Sequence, residues 1–430
     1  MIIKLKFIAS RLFLLCSLCF IATVSASALP ADSGKVYKVG LILPLQAQNT
    51  LDKINDITNA RDLYTANRIN FDEDAIISLD FYQGLLNAFK TDTTGVKLEL
   101  HVYDNLDMDS MTTEILKMPE LKTMDIIIGS VSSSTARLVA DFCNANHILN
   151  IQPFSPSKSL TTNNPYHLKL APTIDSHLDG MYQSILDSFP DANIIIYTPK
   201  NDRSLPLADH LDTLFTNFNA TALIKYKVTM INATDQPDVF SGKASDLEKL
   251  FVLNKPNILI VTSYDEPFVQ STLRSVYEKI VRDDDDDKPH KKSEEEKPKP
   301  MVIAYGLPTW LNGDILRLDY LNDLNTRISD IFYPDTTRNS TLGFMRDFSS
   351  EYGNEPSRYG FLGYDVANFL LQSLKCYGKN FLPFIVTQRY SGAAYKFDIV
   401  ADRQDSTINF YENTHVNVMK IADYRLEKVW

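Results

Sequence analysis

Little sulfur, no excess of positive charge and no catalytic signature narrow what this chain can be. Of its 4 cysteines, Cys16 and Cys19 lie in an apolar opening segment, which leaves Cys143 and Cys376, too few for a disulfide scaffold. Both sit in apolar-patterned stretches, LVADFC and FLLQSLKC, which favours buried thiols over a bridge or a reactive site. Beyond the opening segment no apolar run is long enough to span a bilayer. Lys and Arg total 43 against 54 Asp and Glu, a net charge of −11, so nucleic acid and anionic membrane surfaces are poor partners. There is no G-x-x-x-x-G-K-[ST] loop, no G-x-G-x-x-G after a strand and no H-E-x-x-H. A G-x-S-x-G elbow is missing as well. The 7 histidines are scattered, and His177, beside Asp175 and Asp179, belongs to a helix-start pattern rather than a metal set. Nothing argues for an enzyme or a cofactor. Binding is the better class.

What is present begins with an export signal. Lys4, Lys6 and Arg11 precede an apolar core over Leu12–Val24, and Ala26-Ser27-Ala28 is a small-residue cleavage site. Residues 1–28 are therefore expected to be a signal peptide cut after Ala28, which places the protein in the periplasm or outside the cell. A lipoprotein site would need small residues directly before a cysteine, and Ser17-Leu18-Cys19 leaves lipid anchoring open.

An α/β alternation follows. Val39–Leu45 is a near-continuous apolar strand, and the polar stretch from Gln46 to about Glu73 is either a lid or a disordered loop. A helix is expected over Asp72–Phe89, a strand over Lys97–Tyr103 and a helix over Thr112–Leu121. The stretch 125–160 is the most informative. It contains a strand at Asp125–Ile128, a hydroxyl-rich turn at Ser130 and Ser132–Thr135, a helix, a strand at His147–Ile151, and a second hydroxyl-rich turn with Ser155, Pro156 and Ser157. In an open α/β sheet ligands bind outside the carboxyl ends of the strands, and hydroxyls at a helix start can cradle an anion. The same hydroxyls can equally serve only as caps.

A second series repeats the alternation, with helices at Ile174–Phe189 and Arg203–Phe218 and strands at Ala192–Tyr197 and Leu223–Val228. Leu247–Val252 is expected to end another helix, Asn257–Thr262 to be a strand and Phe268–Val281 a helix. Residues 282–300 form a charged run with proline and no apolar anchor, expected to be disordered. A strand at Met301–Leu307, a strand at Ile331–Pro334, a helix at Tyr359–Tyr377 and short antiparallel strands from Ala394 complete the chain. Two layered units indicate two doubly wound α/β lobes.

On VGLILPL (Val39–Leu45), YQGLLNAF (Tyr82–Phe89), the Gly129–Thr135 turn, the Ile151–Ser157 turn, Pro172-Thr173 and GYDVA (Gly363–Ala367), the chain resembles the type 1 periplasmic binding proteins. It is most similar to the branched-chain amino acid and amide-binding branch. It also resembles exported members that carry this fold behind LysM modules, through its LDFYQG and YGLPTW segments, although it has no LysM segment. The resemblance implies two lobes joined by three hinge strands, with a ligand enclosed in a cleft between them. It implies lobe 1 at residues 36–168 plus 301–384, lobe 2 at 169–281 plus 385–430, and crossovers near Lys169–Pro172, Lys299–Met301 and Phe384–Gln388. In the family the first-lobe turns hold a ligand carboxylate. Ser132, Ser133, Ser134 and Thr135 match the first turn, and Ser155 and Ser157 approximate the second, where Pro156 removes a backbone donor. The second lobe would supply an acid for the ligand ammonium, Asp265 or Glu266, and aromatics, Tyr197 and Tyr264. Trp310 would be a cleft aromatic or a hinge-packing residue.

The function so implied is an exported solute-binding protein that encloses a small polar ligand, amino acid or amide-like, for a membrane permease or sensor. The alternative is a non-enzymatic cell-envelope interaction protein, such as a peptidoglycan-synthesis activator, whose partner would be a cell-wall protein.

Overall fold

The structure, a computed structural model, describes residues 20–24, 36–59, 72–200, 202–233, 246–281, 298–312 and 316–430. The charged run at 282–297, part of the polar stretch at 60–71 and most of the expected signal peptide lie outside the described residues. Six strands come first: β1 (Phe20–Val24), β2 (Val36–Leu43), β3 (Lys97–Asp104), β4 (Ile126–Gly129), β5 (Leu149–Gln152) and β6 (His167–Lys169). Then come β7 (Asn193–Pro199), β8 (Lys227–Ala233), β9 (Asn257–Val261), β10 (Val302–Gly306) and β11 (Arg327–Asp330). The last are β12 (Arg389–Ser391), β13 (Lys396–Gln404), β14 (Thr407–Asn413), β15 (Asn417–Ala422) and β16 (Arg425–Lys428).

They form two sheets, ordered β1-β3-β2-β4-β5-β6-β14-β13-β12 and β16-β15-β11-β10-β9-β7-β8. Strands β2 to β6 are mutually parallel, as are β7 to β11. That explains their composition: a parallel strand covered by helices on both faces has no polar side, and Val39, Leu41, Ile42 and Leu43 are all fully buried. Each sheet has its own core, one around Leu41, Phe81 and Phe361 and the other around Ile195, Ile260 and Ile303. The expectation of two α/β lobes holds.

Helix starts follow local chemistry. Asp72 caps the Glu73–Lys90 helix by accepting from the N–H groups of Asp74 and Ala75, and Ser357 does the same for Arg358–Tyr377. These two helices touch through glycine. A Cβ on Gly84 would lie 1.9 Å from the Gly360 carbonyl oxygen, and one on Gly363 would lie 1.9 Å from that of Phe81. Only hydrogen at these positions permits the approach.

The division between lobes differs from the expectation in two places. β10 pairs in parallel with β9, so residues 302–306 belong to the second lobe, not the first. The charged run therefore interrupts a connection within one lobe; a break in composition is not a domain boundary. Conversely, β13 and β14 extend the first sheet, because β14 pairs in parallel with β6 at Tyr411–Leu168 and Glu412–Lys169. The chain crosses between lobes just after Lys169, between β11 and the Asn339–Tyr352 helix, and between β14 and β15. The first crossover is where it was expected; the other two are not.

Smaller differences have local causes. Part of the polar stretch is helical, over Ala47–Asn59, entered where the Asp104 carboxylate accepts from the N–H groups of Gln46 and Ala47. The strand expected at Leu223–Val228 is β8, four residues later, and Leu223 is fully exposed. The strand expected at Ile331–Pro334 is β11, and the helix expected to end at Leu247–Val252 is a 3-10 turn over Asp246–Leu250. Cys143 is buried as expected, but Cys376 is exposed, on the outer face of its helix. β1, inside the expected signal peptide, lies antiparallel on β3.

Candidate functional site

In the first lobe, two turns leave the carboxyl ends of β4 and β5. Gly129 has φ +119, and a Cβ there would lie 2.1 Å from the Ile42 carbonyl oxygen, so this corner accepts only glycine. Beneath the turns the amides are fully used. Asn105 Nδ2 donates to Ser130 Oγ at 2.8 Å, and Gln152 Nε2 donates to the Ser130 carbonyl at 2.9 Å. Gln152 Oε1 in turn accepts from the N–H groups of Phe154 and Ser155, at 2.8 and 3.2 Å. One buried glutamine thus fixes both turns.

Above this layer, Ser132 is the N-cap residue of the Ser133–Asn146 helix. Ser133 and Ser134 are exposed, while Thr135 is fully buried. Ser133 Oγ lies 3.0 Å from Ser155 Oγ, and Ser132 Oγ lies 2.8 Å from Thr135 Oγ1. The structure therefore brings Ser132–Thr135 and Ser155 together, largely satisfied by one another. Ser157 joins the turn through its backbone, its N–H donating to Ser155 Oγ at 3.4 Å, while its hydroxyl lies 3.1 Å from that of Ser159. Acid stands beside the turn: Thr135 Oγ1 donates to Asp107 Oδ1 at 3.4 Å. Burial, with the charges of Asp107, Asp72 and Glu73, holds the Asp74 carboxyl above the usual range.

In the second lobe, the candidates separate. Tyr197 is 1% exposed and stacks on Phe268, ring centroids 5.5 Å apart; it is a core residue, contrary to expectation. Asp265 caps the Glu266–Val276 helix, its Oδ1 accepting from the Phe268 N–H at 3.3 Å, and it is not part of the cavity lining described next. Tyr264 and Trp310 do come together. With Arg203, Glu266, Val269 and Thr309 they line a cavity of about 200 Å³ at the carboxyl ends of β9 and β10. The Arg203 guanidinium sits 5.0 Å from the centroid of the Tyr264 ring, and burial raises the Tyr264 phenol. Trp310 is 4% exposed, and its benzo ring fills the space where a Cβ on Gly306 would be. Its indole N–H is buried with no hydrogen-bond partner among the described residues. Arg203 was missed from sequence although its position, in the loop after a buried strand, is the signal that singled out Tyr264.

A larger cavity, about 440 Å³, lies elsewhere in the second lobe. Its charges already pair, Arg274 with Glu278 and Arg317 with Asp319, which leaves little for a ligand. Between the lobes, Lys158 pairs with Asp175, whose charge also reaches Tyr264. The second hydroxyl turn and the Arg203–Trp310 cavity therefore lie on the same side of the molecule. Among the described residues no group of three or more His, Cys, Asp or Glu could hold a metal ion, and no helix is long and apolar enough to cross a membrane.

Two lobes of parallel sheet joined by three crossovers define the type 1 periplasmic binding protein fold, the one the resemblance implied. Residues 85–239 match the family described as the receptor family ligand binding region. Among solved structures, the chain is similar to a putative branched-chain amino acid ABC transporter protein from Rhodospirillum rubrum, at 11% identity and a TM-score of 0.58, covering 92% of this chain and 100% of that one. It is also similar to an ABC transporter substrate-binding protein from Desulfitobacterium hafniense in complex with Leu, at 13% identity and a TM-score of 0.52, covering 92% and 100%. A third likeness is to full-length LpoA from Haemophilus influenzae, at 13% identity and a TM-score of 0.52, covering 93% of this chain and 60% of that one. At these identities the likeness is one of fold. No curated protein matches the chain.

Proposed function

We propose that this is an exported solute-binding protein that encloses a small polar ligand, amino acid or amide-like, between its lobes, and that a transporter or sensor recognises the closed form. The observation that carries this reading is the pairing of a hydroxyl turn at the strand ends of one lobe with a cavity bearing Arg203, Tyr264 and Trp310 at the strand ends of the other. Closure needs no chemistry: a ligand that contacts both walls favours the closed state by its differential affinity. Residues 29–430 should be melted against a panel of amino acids, amides and small metabolites. A ligand at 100 times its Kd stabilises by about 2.7 kcal/mol, a shift of several degrees. A flat panel would sink the reading.

One observation favours a second reading, a cell-envelope interaction protein that uses the outside of the same fold. The first-lobe hydroxyls bond one another, and Pro156 offers no N–H, so the second turn adds few donors to that wall. Specific capture of a cell-wall protein by a chain that binds no small molecule would establish it.

A further inference from the structure

Where the second and third crossovers meet, positive charge gathers without an equal share of negative charge. Lys396 opens β13 in the first lobe, and Lys428 closes β16 in the second. Both are tied to the crossovers. Asn413 Nδ2, at the end of β14, donates to the Lys396 carbonyl at 3.2 Å, and the Tyr333 N–H of the second crossover donates to the Ala394 carbonyl at 3.1 Å. From the other lobe, Lys428 Nζ donates to Asn417 Oδ1 at 2.5 Å and lies 5.6 Å from the centroid of the Tyr333 ring. The same Asn417 oxygen bonds His415, which in turn bonds Asp398 beside Lys396. Two half-buried ammonium groups therefore meet across the joint. Burial, and then the Lys396 charge, bring Lys428 down to about 8, as expected of a cation that faces a cation.

The acids nearby are committed elsewhere. Asp335, whose charge reaches both lysines, accepts from the N–H and the hydroxyl of Thr337 at 3.1 and 2.6 Å. Asp398 is shared between His415 and Arg389. Arg338, which donates to the Gly392 carbonyl at 2.8 Å, adds a third positive charge within reach of Asp335.

We propose that this junction is an anion site, in which a tetrahedral oxyanion, phosphate or sulfate, sits between Lys396 and Lys428 and bridges the two lobes at the hinge. An ammonium carries three donors. Lys428 gives one to Asn417, so donors remain for the oxyanion, and such charge-assisted bonds are the strong ones. An anion that touches both lobes favours the hinge angle at which its two contacts are made together. Such a site works whatever ligand the cleft encloses.

Calorimetry of residues 29–430 with sulfate and with inorganic phosphate, at an ionic strength held constant by chloride, should give saturable binding with a Kd of about 1 mM or tighter. Lys396→Gln and Lys428→Gln should each weaken it about tenfold or more, and Lys428→Arg should retain it. Lys117→Gln, which removes one positive charge from an exposed helix of the first lobe, should change it less than about twofold. Unchanged melting temperatures in chloride confirm that the variants fold. Single-molecule fluorescence between labels on the two lobes should show a narrower distance distribution at saturating sulfate. No saturable binding up to about 10 mM, or equal weakening in all three glutamine variants, would overturn the site. A distribution that sulfate leaves unchanged would refute the bridge.

Discussion

His167 and His177 are buried as neutral imidazoles, and each is held by one hydrogen bond: Nδ1 of His167 to Asn150 Oδ1 at 2.7 Å, and Nδ1 of His177 to Ser329 Oγ at 3.0 Å. Burial, helped by the Lys169 charge, lowers His167 to about 3, and burial lowers His177 to about 4. The unfolded chain binds those protons near 6.5, so the stability they contribute is complete above that pH and is lost as the pH falls toward 4. Asp365 works the other way. Burial raises it to about 6 although it accepts the N–H groups of Ala393, Ala394 and Tyr395, so its contribution is greatest below 3.8 and is lost as the pH rises through 6. With three histidines lowered, His415 being the third, against two carboxyls raised, Asp365 and Asp74, the unfolding free energy from urea titrations should fall between pH 6.5 and 4, by roughly 1.4 kcal/mol per pH unit for each net proton. His177→Gln should flatten that slope by about one proton. Greater stability on acidification across the window would contradict the assignment.

Among the elements, the crossing of the Glu73–Lys90 and Arg358–Tyr377 helices is the most exacting contact. Gly84→Ala drives a methyl into the Gly360 carbonyl and should cost about 1–3 kcal/mol or more in urea unfolding. Gly343→Ala, in the Asn339–Tyr352 helix with nothing within 4 Å of the new methyl, should instead stabilise by up to about 1 kcal/mol. Equal effects from the two would mean that the crossing is looser than described. Most elements were legible from their period and caps: β2, β4, β9, and the helices that Asp72 and Ser357 begin. The helix over Ala47–Asn59 was not, although Leu51, Ile54 and Ile57 recur at helical spacing, because it lies in an otherwise polar stretch and its start is set by Asp104, 57 residues away. The Asn339–Tyr352 helix was also missed, although Phe344 and Phe348 mark a buried face at helical spacing.

At the scale of the molecule, the crossovers carry bonds between the lobes. Arg358 Nη2 of the first lobe lies 2.9 Å from Asp330 Oδ1 at the end of β11, and its guanidinium also sits over the Phe332 ring. At the third crossover His415 bonds Asp398 of β13 at 3.1 Å and Asn417 of β15 at 3.3 Å. Arg358→Gln should loosen the joint at little cost to global stability, about 1 kcal/mol or less for a partly exposed pair. Single-molecule fluorescence between labels on the two lobes should then show a broader distance distribution. An unchanged distribution would show that the pair does not restrain the lobes.

The sequence by itself determined the layered α/β class, the strand and helix periods, the two hydroxyl turns and the family likeness, because these are written in residues close along the chain. Only the tertiary structure decided which sheet β10 and β14 join, since strand pairing is a contact between residues far apart in sequence and charged runs do not report it. The same holds for the site. Ser133 meeting Ser155, Tyr197 turning into the core and Asp265 spending its carboxylate on a cap depend on which way each strand end faces. The cavity that gathers Arg203, Tyr264, Glu266 and Trp310 exists because β9 and β10 lie side by side.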